Sequence, residues 1–235
     1  MKARRIVPLI LIALAAATAA HAISLPSLEL RAGPTWIGNA YREYPDGSTV
    51  QGSDVSPLRI FGGAALPLVL QNGLILTPGI DFYWQEYLAA AEDGKVVPTQ
   101  IETGSAAGDA AGTLGILLSM PVNWEWQVRQ RLVLGAGAGP AFLLRLPLAP
   151  IEGSDVSALW SYFYSGLRFF YPETQGSIRY QISDQFEFGG LLRVLWPVAS
   201  LWSRYDVAVW DEMKISLMVL LRVRLEDRAA AEGGR

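Results

Sequence analysis

Cysteine is absent from this chain and histidine occurs once, at His21. Without cysteine there is no disulfide and no acylation site for a lipoprotein anchor. His21 falls inside a segment that reads as an export signal. Lys2, Arg4 and Arg5 form its charged start, residues 6–20 are apolar, and Ala20-His21-Ala22 is an A-x-A cleavage site. A mature chain from residue 23 then has neither histidine nor cysteine, which excludes Ser-His and Cys-His nucleophiles, histidine acid-base chemistry and histidine or cysteine metal sites. No metal and no cofactor is expected. Glycine-rich phosphate loops with their lysine are also missing, and scattered arginines in an acidic chain leave no nucleic-acid footprint. Three of the 19 basic residues leave with the signal while all 22 acidic ones stay, so net charge moves from −3 to −6. Beyond residue 22 no apolar run approaches the roughly 20 residues of a spanning helix.

What the chain does have is apolar residues, 51% of the total, with 23 Gly, 8 Trp, 9 Tyr and 8 Phe. That is too much buriable surface for disorder. Eight segments alternate with period two: 28–38, 58–70, 74–87, 113–120, 126–146, 177–183, 186–196 and 214–225. In the last, Ile215, Leu217, Val219, Leu221, Val223 and Leu225 interleave with Lys214, Ser216, Met218, Leu220, Arg222 and Arg224. The links alternate as well. Residues 39–57, 88–112, 147–176 and 197–213 are long connections, whereas 71–73, 121–125 and 184–185 are tight turns, Asn72-Gly73 being a strong hairpin signal. Long loops on one side and tight turns on the other predict an all-β fold, an eight-stranded antiparallel up-and-down transmembrane barrel over residues 23–225 with a polar tail at 226–235.

A soluble barrel would show the same alternation with its apolar face inside, so the polar face decides the orientation. It carries one lysine, Lys214, and otherwise Arg, Gln, Thr, Ser and Gly. Arginine suits buried, multiply hydrogen-bonded pairs, and glycine suits a crowded lumen. On the apolar face the aromatics gather at the strand ends. Trp36, Trp84 and Trp196 lie toward the long loops, and Trp126, Tyr180, Phe186 and Phe188 toward the turns, as two lipid-interface girdles.

In architecture the chain resembles the small eight-stranded outer-membrane barrels of the OmpA, OmpX and OmpW group. It departs from them at the end, because the last strand closes on Leu225 and not on an aromatic residue. The resemblance implies a cell outer-membrane location, with outer-membrane lipid and the barrel-assembly machinery as partners.

Inward parity gives three acids, Glu29, Asp81 and Glu187, against ten bases. Near the turns, Glu29, Arg31, Arg129, Arg131, Arg179, Glu187, Arg222 and Arg224 are expected to form an ion-pair plug, with Glu29 bonded to Arg222 or Arg224 across the closing strands. Above it, Phe61, Tyr83, Leu143, Leu191 and Leu195 among glycines either line a pocket or pack tightly. The third loop carries Trp160-Ser161-Tyr162-Phe163-Tyr164 and Phe169-Phe170-Tyr171, which extends the wall, folds in as a lid or meets a partner. The functional expectation is a non-enzymatic closed scaffold whose loops serve envelope or surface interaction, including an extracellular ligand. The alternative is a narrow conduit or pocket for small hydrophobic or anionic molecules.

Overall fold

The computed structural model describes residues 27–38, 42–43, 49–50, 58–70, 73–89, 96–99, 109–150, 155–201 and 212–225. The expected export signal, the expected polar tail and most loop residues lie outside them. Eight strands form the ring: β1 Ser27–Ile37, β2 Leu58–Ala65, β3 Gly79–Ala89, β4 Asp109–Ser119, β5 Leu132–Pro150, β6 Phe170–Gln181, β7 Phe186–Leu195 and β8 Lys214–Arg224. Each pairs antiparallel with its sequence neighbours, and β1 pairs with β8, which closes the sheet and leaves the ring without an open edge. Among the described residues no helix is long and apolar enough to cross a membrane.

The expected turn at 121–125 is corrected. The two-residue turn is Gln130-Arg131, and Val122–Arg129 continues the line of β4 as a ribbon along β5, with Trp126 opposite Leu134. Pro121 interrupts the hydrogen-bonded ladder without reversing the chain, because Thr77 N–H donates to its carbonyl and Met120 N–H to that of Pro140. Likewise Leu68–Val69 and Ile75–Leu76 prolong β2 and β3 as a hairpin, and Gly73 takes the φ of +80° that its turn needs. The sixth strand begins at Phe170, earlier than the expected 177.

The hydrogen-bond register gives the barrel its dimensions. From Phe142 the ladder runs through Leu118, Ile80, Ala64, Leu30, Leu221, Phe188 and Tyr180 and returns to β5 at Leu132, ten residues away. A stagger of that size over eight strands, at ~3.3 Å per residue and ~4.8 Å between strands, corresponds to a tilt of about 40° and a backbone radius of about 8 Å. An interior that narrow holds side chains only.

The same tilt places the aromatic rows. Trp36, Trp84 and Trp196 fall at one height together with Phe142 and Phe170, and Trp126, Tyr180, Phe186 and Phe188 fall about 24 Å below, close to the ~25 Å of a bilayer's apolar band. Between them the outer wall exposes Ile60, Phe82, Leu192, Leu217 and Val219. Trp36 is half-buried, whereas the other six expected girdle residues are exposed. Trp124, stacked on Trp126 with ring centroids 5.9 Å apart, joins the lower row.

Candidate functional site

Charged and apolar side chains fill the lumen in successive layers. At the turn end, Arg222 donates to Glu29 Oε2 from Nη2 at 2.9 Å and to Glu125 Oε1 from Nη1 at 3.1 Å. Arg179 bridges Glu125 and Glu187, and Arg224, half-exposed at the rim, donates to Glu187 at 2.6 Å. Arg129 and Arg131 are corrected: they stand exposed at the hairpin tip, outside the plug, because the turn lies at Gln130-Arg131. Arg31 also sits elsewhere, one layer higher. Glu125 takes the vacated place, a residue assigned from sequence to a turn.

The middle layer centres on Asp81, which is wholly buried. Arg31 donates Nε and Nη2 to its two oxygens, each at 2.8 Å, and Arg193 Nη1 donates to Oδ2 at 2.6 Å. Arg31 Nη2 also reaches Ser119 Oγ at 3.1 Å. Glu173 is buried nearby on β6, and its charge is felt by Arg31. A polar chain lies between the two layers, in which Gln175 donates to Asn123 at 2.6 Å and Asn123 donates to Thr77 at 2.9 Å.

Next comes an apolar layer. Phe61 stacks on Tyr83 with centroids 4.2 Å apart, and Leu117, Ala141, Leu143, Tyr171 and Leu195 surround them. Leu191, Met218 and Leu220 belong to the same cluster. Two glycines on this face leave their space to a neighbour's side chain. A Cβ on Gly115 would overlap the Tyr83 ring, and one on Gly137 would overlap the Asn123 amide. The expected pocket residues Phe61, Tyr83, Leu143, Leu191 and Leu195 are thus each at most 3% exposed and packed against one another.

The third loop folds inward. Helix α1, Ser157–Tyr164, buries Leu159 and Phe163 against Tyr87, Ala89, Val96 and Ala111 at the mouth. Beneath it, Glu212 accepts from the hydroxyls of Tyr162 and Tyr171, each at 2.8 Å, and pairs with Arg145 at 3.4 Å. Arg145 Nη2 donates to the Arg168 carbonyl at 2.8 Å, and its guanidinium lies over the Phe163 ring at 4.3 Å. Lys214 donates to the Glu212 carbonyl at 2.9 Å. Burial pushes the Glu212 carboxyl up, but Arg145 and Lys214 outweigh it and hold the group down at about 2. The residue is the latch that ties α1 to the barrel wall.

The expected excess of inward bases is corrected by where the side chains lie, since Arg129 and Arg131 stand outside and further acids lie inside. Glu125, Glu173 and Glu212 join Glu29, Asp81 and Glu187, and the six face Arg31, Arg145, Arg179, Arg193, Lys214 and Arg222. Charge for charge the lumen is close to neutral, as burial in a narrow barrel requires.

No protein-family model matches the chain, and no curated protein matches it in sequence. Among solved structures it is similar to Neisserial surface protein A at 7% identity and a TM-score of 0.47, covering 84% of this chain and 97% of that one. It is similar to the attachment invasion locus protein Ail of Yersinia pestis at 6% identity and a TM-score of 0.36, covering 86% and 99%. For the outer membrane protein AlkL the values are 11% and 0.36, covering 88% and 90%. The ladder closed between β1 and β8 makes the chain an eight-stranded antiparallel β-barrel, the architecture of the small outer-membrane barrels that its sequence resembles.

Proposed function

We propose that this chain is an integral outer-membrane barrel with a closed lumen, a non-enzymatic scaffold that holds its loops at the cell surface for envelope or surface interaction. The observation that carries this reading is the pairing of an apolar outer wall with a filled, charge-balanced interior. A belt of exposed Leu, Ile, Val and Phe between two aromatic rows about 24 Å apart fits a bilayer and would be costly in water. Packed side chains among the described residues fill the lumen layers, and α1 packs over the mouth, which supports a closed lumen.

Against catalysis stands the use made of the buried groups. Asp81 holds Arg31 and Arg193, while the Tyr83 hydroxyl pairs with that of Tyr87 at 3.2 Å, so the polar pair on β3 is not assembled into an acid-base site. Outer-membrane lipid is the partner of the wall, and the barrel-assembly machinery is the partner that inserts it. Fractionation tests the location. The folded protein is expected in the outer-membrane fraction, resistant to alkaline extraction and shifted in gel mobility only after boiling; recovery as a soluble periplasmic protein overturns the proposal.

A further inference from the structure

The two flanks of α1 differ. Leu159 and Phe163 point into the barrel mouth and Tyr162 turns down to Glu212, whereas Trp160 is 39% exposed and stacks on Tyr164 at 5.5 Å. Tyr164 in turn meets Phe169 at 6.4 Å, and Phe170, the next residue, meets Phe142 at 5.5 Å. Phe142 and Phe170 face outward and are paired in the β5–β6 ladder. Two aromatic groups, Phe142 with Phe170 on the outer wall and Phe169 with Tyr164 and Trp160 on one side of the lid, thus adjoin at the Phe169–Phe170 peptide. Ala158, a 200° rotation from Trp160 at ~100° per residue, is exposed on the opposite flank.

Height makes this junction informative. Phe142 and Phe170 stand level with Trp36, Trp84 and Trp196, the row that marks the upper edge of the apolar belt. The Tyr164 hydroxyl donates to the Arg145 carbonyl at 3.1 Å, beside Leu146, which the ladder connects through Leu114 to Trp84. The Trp160 flank thus begins where the hydrocarbon ends. Ring systems with a polar handle favour that boundary, because the ring leaves water while the N–H or O–H keeps a hydrogen-bond partner.

We propose that the Trp160–Tyr164 flank of α1, with Phe169, is a lipid-binding surface seated at the headgroup–acyl boundary of the outer leaflet. The lid is then held from two sides, by the Glu212 latch below and by lipid beside it. This rests on the membrane reading above and adds to it that a loop element, and not only the barrel wall, contacts the bilayer.

Lacking cysteine, the protein accepts single labels without background. Leu217→Cys on mid-wall, Trp160→Cys and Ala158→Cys, each carrying an environment-sensitive fluorophore, are refolded into phosphatidylcholine vesicles. The lipid is spin-labelled either near the headgroup or deep in the chain, and iodide serves as the aqueous quencher. Boiling-dependent gel mobility confirms folding of each. The label at 217 is expected to be quenched by the deep spin, that at 160 by the shallow spin, and that at 158 by iodide alone. Quenching of 160 by iodide alone, with 217 still quenched by lipid, overturns the lid proposal and leaves the membrane reading standing. Loss of lipid quenching at 217 overturns the membrane reading itself. Should Trp160→Cys fail to fold, the difference in emission between wild type and Trp160→Phe in vesicles of brominated lipid reads the same contact: quenching of the difference supports it, and its absence overturns it.

Discussion

Replacing Asp81 by Asn removes one negative charge and almost no volume, so no cavity accompanies the change. Two guanidiniums are affected, since Arg31 and Arg193 are 3% and 0% exposed and together send three hydrogen bonds to this carboxylate, at 2.8, 2.8 and 2.6 Å. Breaking one buried pair typically costs about 3 to 5 kcal/mol, because the surviving charge stays desolvated. Glu173, buried nearby on β6 with no hydrogen-bond partner of its own among the described residues, is placed to take over part of the pairing, so about 3 kcal/mol is expected for Asp81→Asn. Glu29→Gln is a milder change, because Arg222 keeps Glu125 at 3.1 Å, and about 1 to 2 kcal/mol is expected. Urea unfolding of the barrel refolded in vesicles, followed by gel mobility and tryptophan emission, measures both. The double variant Asp81→Asn/Glu173→Gln is expected to lose more than the two single losses added together. An Asp81→Asn barrel within about 0.5 kcal/mol of wild type, the range of an ordinary surface substitution, would refute the reasoning and mean that the mid-lumen is wet enough to screen its charges.

Glu212 has a depressed carboxyl, so its contribution is complete above the ordinary carboxylate range, declines as pH falls below about 4.5 and is gone below about 2. Protease cleavage within residues 157–164 is expected to stay slow at pH 5 and to rise in Glu212→Gln at every pH tested. Gly115→Ala forces Tyr83 off its stack with Phe61 and is expected to cost about 1 to 3 kcal/mol in the same urea assay, whereas Gly176→Ala, whose new Cβ would meet nothing nearer than 3.9 Å, is expected to be near neutral. Val219, 54% exposed at mid-wall, tests the outward face: Val219→Arg is expected to cost about 2 to 4 kcal/mol in a bilayer, and a neutral result would mean that this face does not meet lipid.

Alternation makes the strands legible, the arginine- and glycine-rich polar face tells which side points inward, and closing the last strand on the first narrows the partner of Glu29 to Arg222 or Arg224, of which the structure pairs Arg222. Alternation misplaces one turn. Residues 121–125 read as the link between two alternating runs, and the true turn, Gln130-Arg131, carries no glycine or asparagine to announce it. That one misplacement hid Glu125, which is why Arg129 and Arg131 were assigned to the plug. Pro172 had a similar effect on β6. Outward Phe170, Pro172 and Thr174 against inward Tyr171, Glu173 and Gln175 is a period-two pattern, masked by the aromatic run before it. The charge count itself held the missing signal. Ten inward bases against three acids cannot be buried in a barrel of about 8 Å radius, so further acids had to lie inside. Glu212 was out of reach, since its role depends on a positive φ and on α1 folding back over the mouth.

The central claim is a closed barrel in a membrane, and single-channel recording in planar bilayers tests it most directly. After insertion, with folding confirmed by boiling-dependent mobility, the wild type is expected to show a flat baseline without resolved current steps at either polarity, and Asp81→Asn to show brief, small openings as its mid-lumen layer loosens. Steady, salt-dependent steps from the wild-type protein would contradict the account, because a lumen filled in the layers described here has no room for a continuous column of ions.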